Sequence, residues 1–167
     1  RMKNKPSLSI IIVNWNSGVQ LETCLKSILD SKISEFKLHN IIIFDNNSSD
    51  YSIDRIRKFQ KRIKIIESDS NLGFAKGCNL AAKKTETDYL LFLNPDTELK
   101  PDTLDMAFSV IKKNKKKAVR ILGIKQTDTK GRIWRRCARF PNNSRFILKA
   151  LYLDKIFSSI KPHLMNE

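Results

Sequence analysis

The chain has 167 residues, a length that suits one domain with an adequate core, and 41% of its residues are hydrophobic, which fits a globular protein. No apolar run approaches the roughly 18 to 20 residues that cross a bilayer, so these residues predict no transmembrane helix. The 32 lysine and arginine residues outnumber the 17 acidic ones, which gives a formal net charge of +15. That excess fits three kinds of partner: nucleic acid, an anionic membrane surface or phosphorylated substrates.

Four apolar, β-rich runs occur along the chain and predict strands: Leu8–Val13, Asn40–Phe44, Ile63–Glu67 and Tyr89–Leu93. A helical pattern follows each of them. Leu21, Cys24, Leu25, Ile28 and Leu29 share one face of the first helix, and Ile53, Ile56 and Phe59 share one face of the second. The third is predicted over about 73–84 and the fourth over about 101–114. Strands that alternate with helices predict an α/β fold with a mostly parallel sheet covered on both faces.

In the last third of the chain the pattern of strands alternating with helices does not continue. "VRILGIKQTDTKGRIWRRCARF" predicts two strand-like runs around the turn "TDTKGR", where Gly131 supplies flexibility. An amphipathic pattern follows over 146–157. We therefore expect a hairpin and a helix at the C-terminal end.

The three cysteines, Cys24, Cys78 and Cys137, are far apart and form no C-x-x-C pair. Two histidines, His39 and His163, add no metal-ligand spacing. A structural zinc site is not expected, and a reduced, cytoplasmic compartment fits this usage best.

Four polar loops follow the predicted strands: "NWNSG" at 14–18, "DNNSSD" at 45–50, "SDSNLGFAKGCN" at 68–79 and "NPDTE" at 94–98. The carboxyl ends of parallel strands share one edge, where ligands of such sheets bind. We therefore expect one crevice that is faced by several side chains of these loops: Asn14, Asp45, Asp50, Gly73, Asn79 and Asp96.

Each of these loops also contains residues with a plain structural interpretation, apart from the first. Asn94-Pro95 is favoured turn chemistry, and Asp45 or Asp50 would serve as a helix cap. Gly73 would let a backbone approach closely, but the chain has neither the G-x-x-x-x-G-K-[ST] nor the G-x-G-x-x-G motif, which argues against P-loop and dinucleotide-binding folds. The joint occurrence at four successive loops favours a functional site.

The four segments "LSIIIVNWNSGVQLETCLKSI", "IIIFDNNSSDYS", "NLGFAKGCNLA" and "YLLFLNPDTEL", in this order, resemble the inverting family 2 glycosyltransferases, in particular the rhamnosyltransferase-like branch. The resemblance covers about residues 7–142. It implies a GT-A (Rossmann-like) fold and inverting transfer of a sugar from a nucleotide-diphosphate sugar. The implied acceptor is a polysaccharide or a lipid-linked glycan in bacterial cell-surface glycan synthesis. It also implies a nucleotide-sugar-binding domain over 1–125 and the start of an acceptor-side region over 126–167.

The resemblance also implies roles for individual residues. The loop of Val13, Asn14, Trp15 and Asn16 would cradle the nucleoside, and Asp45 would recognise the base. Asp50, Gly73 and Asn79 would line the same pocket. Asn94-Pro95-Asp96 stands where most relatives have Asp-x-Asp, so Asp96 and Asn94 would hold Mg²⁺ or Mn²⁺ on the diphosphate.

The resemblance implies a general base within a "GGFDE"-like segment further along the chain. Nothing after Pro141 in this sequence matches that segment. Asp102, Asp105, Asp128 and Asp154 are available carboxylates, but none lies in a matching context. We therefore expect a truncated or degenerate member that binds the donor while transfer is poor or absent. The arginines of "RIWRRCAR", at 132–139, have three interpretations. They would contact the acceptor, make a peripheral contact with an anionic membrane at its inner face, or belong to a solvated hairpin.

Two rival interpretations start from other features. The charge favours a basic nucleic-acid-binding α/β module without catalysis, but no nucleic-acid motif is present, so no nucleic-acid partner is expected. "IIIFD" resembles the phosphoacceptor strand of a receiver domain, which needs a second acidic pair after the first strand. The sequence 13–16 supplies none.

Overall fold

A computed structural model of the chain describes residues 5–114 and 121–133. The chain divides into two compact units, Arg1–Leu122 and Gly123–Glu167. The predicted amphipathic segment 146–157 and most of the second strand-like run, like Cys137 and Asp154, lie outside the described residues.

The first unit contains a four-stranded, all-parallel sheet in the order β3-β2-β1-β4. Its strands are β1 (Ser7–Asn14), β2 (Lys37–Asp45), β3 (Lys64–Glu67) and β4 (Tyr89–Leu93). The four predicted strands are therefore confirmed. The isoleucine-rich runs form strands because β-branched side chains suit a pleated surface that is buried on both faces.

A helix follows every strand, as predicted. The helices are α1 (Gly18–Leu29), α2 (Ser52–Ile56), α3 (Phe74–Ala82) and α4 (Thr103–Lys113). The second predicted helix continues from α2 as a 3₁₀ turn, Arg57–Phe59. None of the helices among the described residues is long and apolar enough to cross a membrane.

The hydrophobic core has two layers, one on each face of the sheet. On one face, side chains of β1 and β2 pack against α1 and α4: Ile10, Ile12, Ile41, Ile43, Leu21, Leu25, Ile28, Leu104 and Phe108. On the other face, neighbouring residues of the same strands pack against α3: Ile11, Val13, Ile42, Phe44, Cys78 and Ala81. This alternation follows from the two-residue period of a strand.

Helix α3 lies close to the sheet at Gly77. A Cβ placed there would lie 3.0 Å from Phe44 Cδ1 and 3.1 Å from Val13 Cγ1. The glycine therefore sets the depth at which α3, and the loop that leads into it, sits against the ends of β1 and β2.

The edge strand β4 departs from the expectation of a sheet covered on both faces. Leu90 and Phe92 are 40% and 47% exposed among the described residues, while Leu93 is buried. Among the described residues β4 pairs only with β1, and α3 packs against β1 and β2.

The described part of the second unit, residues 123–133, contains one isolated antiparallel bridge between Thr127 and Ile133. Asp128 organises the turn between them, since its carboxylate accepts from the backbone N–H groups of Lys130 and Arg132. Gly131 has a φ of +75°, which only glycine adopts readily. The predicted turn at "TDTKGR" is therefore present.

Candidate functional site

The carboxyl edge of the sheet carries a cleft of about 320 Å³. Residues from all four predicted loops line it: Val13, Trp15, Ser17, Asn46, Asn71, Gly73, Phe74 and Pro95. The loops meet because β1 lies between β2 and β4, so that their carboxyl ends are neighbours. None of these lining side chains carries a charge.

Asn14 and Asp45 end β1 and β2 and lie side by side in the parallel register. Asn14 Nδ2 donates to Asp45 Oδ1 at 2.7 Å and lies 2.8 Å from Ser52 Oγ. Asp45 also accepts from the backbone N–H of Ser48 at 3.0 Å and from its hydroxyl at 2.6 Å. Both side chains are buried, so they hold the two loops together below the cleft and do not line it.

One polar atom of this network has no partner. Asn14 Oδ1 is buried and accepts no hydrogen bond from any described residue. The opposite amide orientation would place this oxygen against the Asp45 carboxylate, so the orientation is fixed by that neighbour. The site therefore contains one buried acceptor that its own side chains leave unsatisfied.

Asn16 and Asp50 tie the β1–α1 loop to the β2–α2 loop. Asn16 adopts a left-handed backbone (φ 51°), and its Oδ1 accepts from the N–H of Ser49 at 2.8 Å. Asp50 Oδ2 accepts from the N–H of Gly18 at 2.8 Å, while Oδ1 accepts from Ser52. Burial alone would raise the pKa of Asp50, but the hydrogen bonds from Ser52 and Gly18 outweigh it and lower the pKa.

The β3–α3 loop is held by two asparagine side chains. Asn46 Oδ1 accepts from the N–H of Leu72 at 3.0 Å, and Asn71 Oδ1 accepts from the N–H of Gly73 at 2.9 Å. Gly73 has a φ of 79° and a ψ of 164°, a conformation open only to glycine. Asn79, which the sequence placed in the pocket, is exposed on α3 and outside the cleft lining.

The "NPDTE" segment forms a tight turn directly after β4. The N–H of Thr97 donates to Asn94 O at 3.1 Å, so Pro95 occupies the second position of a four-residue turn, as its chemistry predicts. Asn94 and Asp96 are exposed, and Pro95 lines the cleft between them. Turn and candidate metal-holding segment are thus the same piece of chain.

Cys24 of α1 lies beneath this turn. Its thiol donates to Asn94 O at 3.7 Å. Burial, together with the nearby Asp96 carboxylate, raises the pKa of Cys24 to about 12, although a backbone hydrogen bond from Thr97 opposes the rise. Cys24 is therefore a neutral thiol that supports the turn.

The chemistry of the turn restricts which metal arrangement fits. No group of three histidine, cysteine, aspartate or glutamate side chains that could hold a metal occurs within residues 5–114 or 121–133. Asp96 offers one exposed carboxylate and Asn94 one neutral amide oxygen. This donor set fits Mg²⁺ or Mn²⁺ only when phosphate oxygens and water complete the coordination, an arrangement that is common for Mg²⁺.

Several lining residues were missed by the sequence interpretation: Ser17, Asn46, Asn71, Phe74 and Pro95. Asn46 directly follows Asp45, and the sequence does not say which of two adjacent residues faces the ligand side. Phe74 carries a detectable signal, since it is an aromatic residue at the junction of a polar loop with a helix.

Comparison with known proteins finds relatives of this chain. One curated relative is a teichoic acid poly(glycerol phosphate) polymerase of Staphylococcus epidermidis, 34% identical over 55% of this chain and 13% of its own length. Another is a putative teichuronic acid biosynthesis glycosyltransferase, TuaG of Bacillus subtilis, 29% identical over 60% of this chain and 40% of its own length. The chain thus spans less than half the length of these relatives.

Solved structures share the fold. TarS 1–349 of S. aureus, in complex with UDP-GlcNAc, superposes with a TM-score of 0.59 at 22% identity, over 65% of this chain and 32% of that one. The mannosyltransferase PcManGT of Pyrobaculum calidifontis, in complex with GDP-Man and Mn²⁺, gives 0.60 at 19% identity, over 65% and 33%. These likenesses confirm the predicted GT-A α/β fold. The profile described as "Glycosyl transferase family 2" matches residues 9–163, so the chain belongs to glycosyl transferase family 2.

Proposed function

We propose that this chain binds the nucleotide-diphosphate sugar of an inverting glycosyltransferase of bacterial cell-surface glycan synthesis. The observation that carries the proposal is the uncharged, partly aromatic cleft at the carboxyl edge of the sheet, which has an acidic turn at its rim. The family membership and the names of the curated relatives support the reaction class and the kind of product.

The cleft itself is suited to the nucleoside. Its volume of about 320 Å³ suits a base with its ribose, and Trp15, 58% exposed, offers a free aromatic face. Stacking of a base on an aromatic side chain contributes about 1–3 kcal/mol. The two loops that carry Trp15 and Asn46 would be held in place beneath the base by four polar residues: Asn14, Asn16, Asp45 and Asp50.

The turn at the rim is suited to the diphosphate. Asp96 would hold a divalent metal together with phosphate oxygens, and Asn94 would add a neutral oxygen. When bound, such a metal supplies Lewis-acid neutralisation of the leaving diphosphate. Pro95 restricts the backbone between the two side chains, which limits the entropy lost when they engage the ligand.

Inverting transfer also needs a base that deprotonates the acceptor hydroxyl, and we assign none. The division into a donor-binding domain over 1–125 and an acceptor-side region over 126–167 is part of this proposal. So are the rhamnosyltransferase-like branch, the lipid-linked or polysaccharide acceptor, and a cytoplasmic location with peripheral contact to an anionic membrane.

Calorimetric titration of the chain with UDP, dTDP and GDP sugars, with and without Mn²⁺, tests the proposal. We expect at least one of them to bind, and Trp15→Ala to weaken that binding by about 5- to 100-fold because the stacking face is lost. Val19→Ala is the matched control, since Val19 is equally exposed but does not line the cleft. Absence of binding for all three classes, or equal weakening by both variants, would refute the proposal.

A further inference from the structure

Charged residues are divided unevenly between the two edges of the sheet. The connections that follow β1, β2 and β3, together with the turn at 94–98, contain no lysine or arginine, and their acidic residues are Asp50, Asp69, Asp96 and Glu98. The segments that lead into the strands contain more basic residues than acidic ones: Lys5, Lys32, Lys61, Arg62, Lys83 and Lys84 against Asp30, Glu35, Glu86 and Asp88. The amino edge is therefore the edge that attracts anions.

An open pocket of about 500 Å³ lies at this amino edge, between the start of β2 and the end of α3. We call it the amino-edge pocket, and its lining consists of His39, Asn40, Lys83, Lys84, Thr85 and Glu86. It shares no lining residue with the cleft at the carboxyl edge. The two sites are separate because β2 and α3 each have one end at either edge.

An irregularity of β2 places His39 at this pocket. Leu8 of β1 is paired with Leu38, but the next residue, Ser9, is paired with Asn40, so His39 is an extra residue in the register. Such bulges redirect a side chain and are frequent next to functional sites. The imidazole of His39 is exposed and lines the pocket.

Buried hydrogen bonds fix the floor of the pocket. Thr85 Oγ1 accepts from Asn40 Nδ2 at 3.1 Å and lies 2.8 Å from Ser9 Oγ, which is fully buried. Thr85 directly follows the two lysines along the chain. The segment that carries them is therefore tied to β1 and β2, which limits the entropy lost when a ligand binds.

Lys83 and Lys84 give the pocket its charge. Both are exposed, and neither forms an ion pair with a described residue, although the Glu86 carboxylate lines the same pocket. Two ammonium groups against one carboxylate leave the lining net positive. Lysines after the last turn of a helix also suit its dipole, but that effect explains neither the register shift at His39 nor the tie at Thr85.

We propose that the amino-edge pocket binds the phosphate group of a phosphate monoester, with Lys83 and Lys84 as charged donors and His39 as a third donor. Lysine is a compact donor that suits phosphate oxygens, and a phosphate group accepts several such hydrogen bonds at once. The shared chemistry fits a soluble phosphate ester and a lipid headgroup alike. This site lies beyond the proposed function and does not depend on it.

Titration of the full chain with inorganic phosphate and with glycerol 3-phosphate, at fixed pH and ionic strength, tests the site. His39 and His163 are the two histidines of the sequence, so NMR of the imidazole signals reports on the pocket directly, and His39→Gln assigns the signal. We expect both compounds to shift the His39 signal in a saturable way. Lys83→Gln with Lys84→Gln is expected to weaken this binding at least about tenfold.

Lys112→Gln with Lys113→Gln is the matched control, because it removes the same charge from two exposed, adjacent lysines at the end of α4, outside the pocket. It is expected to change phosphate affinity by less than about twofold. Thermal melts check that both pairs fold. A His39 signal that neither compound shifts, or equal weakening by the two pairs, would overturn the inference.

Vesicles of phosphatidylcholine with phosphatidic acid distinguish the two sources of the phosphate group. Co-sedimentation that is lost in the Lys83/Lys84 pair and kept in the Lys112/Lys113 pair would support a lipid headgroup, and binding of glycerol 3-phosphate without co-sedimentation would support a soluble ester. Titrations of both pairs with UDP and GDP are expected to match the wild type, because the cleft lies at the other edge. Failure of nucleotide binding would therefore refute the proposed function and leave this site standing.

Discussion

Asn14 and Asp45 join the ends of two neighbouring parallel strands through a buried hydrogen bond of 2.7 Å. The bond lies directly below the point at which β1 and β2 end and the loops that form the walls of the cleft begin. Because a strand delivers its last side chain with the rigidity of the sheet, this pair fixes the position of both loops. Trp15 directly follows Asn14, Asn46 directly follows Asp45, and both of these next residues line the cleft.

Asn14→Asp is expected to destabilise the chain by about 2–4 kcal/mol, because it buries a second carboxylate against Asp45 and removes the donor. Chemical denaturation at pH 7 measures the loss. Asn79→Asp makes the same chemical change at an exposed position of α3 and is expected to stay within about 0.5 kcal/mol of the wild type. Equal effects of the two variants would contradict the structural part assigned to Asn14.

Gly73→Ala is expected to lower the free energy of unfolding by about 1–3 kcal/mol and to weaken nucleotide binding, because its φ of 79° and ψ of 164° exclude a side chain. No heavy atom lies within 4 Å of a Cβ at this position, so the cost arises from the backbone and not from a clash. Gly123→Ala, at a glycine with equally open space and no positive φ, serves as the control in both thermal melts and titrations. A Gly73→Ala chain that binds nucleotide like the wild type would show that the loop geometry is dispensable.

Glu22 of α1 makes stability depend on acid pH. Hydrogen bonds from Lys26 (2.8 Å) and Lys58 (2.7 Å) lower the pKa of Glu22 from 4.5 to about 2. Since the folded-state pKa is the lower one, the contribution is fully present above about pH 4.5 and is lost as the pH falls toward 2. Glu22→Gln should therefore flatten the loss of stability across that window.

Denaturation series between pH 2 and pH 6 measure this dependence. Glu86→Gln, at an exposed glutamate, is expected to leave the slope of the wild type unchanged. If Glu22→Gln and the wild type lost stability in parallel below pH 4.5, the lysine contacts would have no energetic consequence in solution.

The sheet and the location of the site could be predicted from the sequence, because both depend on features that the sequence shows directly. Apolar, β-branched runs such as Ile41–Phe44 favour strands. Because the strands are parallel, the loops that follow them lie at one edge of the sheet. The start of α4 was predicted two residues early, at Pro101, because helix ends depend on local backbone geometry as well as on residue preference.

The orientation of individual side chains could not be predicted in the same way. Asp45 and Asn46 are adjacent, and successive residues at the end of a strand point in opposite directions, so an uncertainty of one residue exchanges their roles. Asp45 is held below the cleft by Asn14 and Ser48, whereas Asn46 lines it. The role of Asp45 in recognising the base stays a prediction. Its contacts support an indirect role, in which Asp45 positions the β2–α2 loop.

The turn after β4 makes the sharpest prediction about the metal. Asp96→Asn removes the one carboxylate that adjoins Pro95 at the rim of the cleft, so we expect the gain in nucleotide-diphosphate affinity caused by Mn²⁺ to fall at least about tenfold. Affinity without Mn²⁺ should not fall, because the loss of a negative charge beside the diphosphate removes a repulsion. Glu98→Gln, two residues further along and exposed, is the matched control.

Asn94→Asp tests the same argument in the opposite direction. A second carboxylate in the turn would supply a charged ligand where the chain has a neutral amide oxygen, so Mn²⁺ should increase nucleotide affinity more strongly than in the wild type. Calorimetric titration of UDP and GDP at several Mn²⁺ concentrations measures both variants. If Mn²⁺ leaves wild-type affinity unchanged, or if Asp96→Asn and Glu98→Gln respond to it alike, Asp96 does not hold the metal.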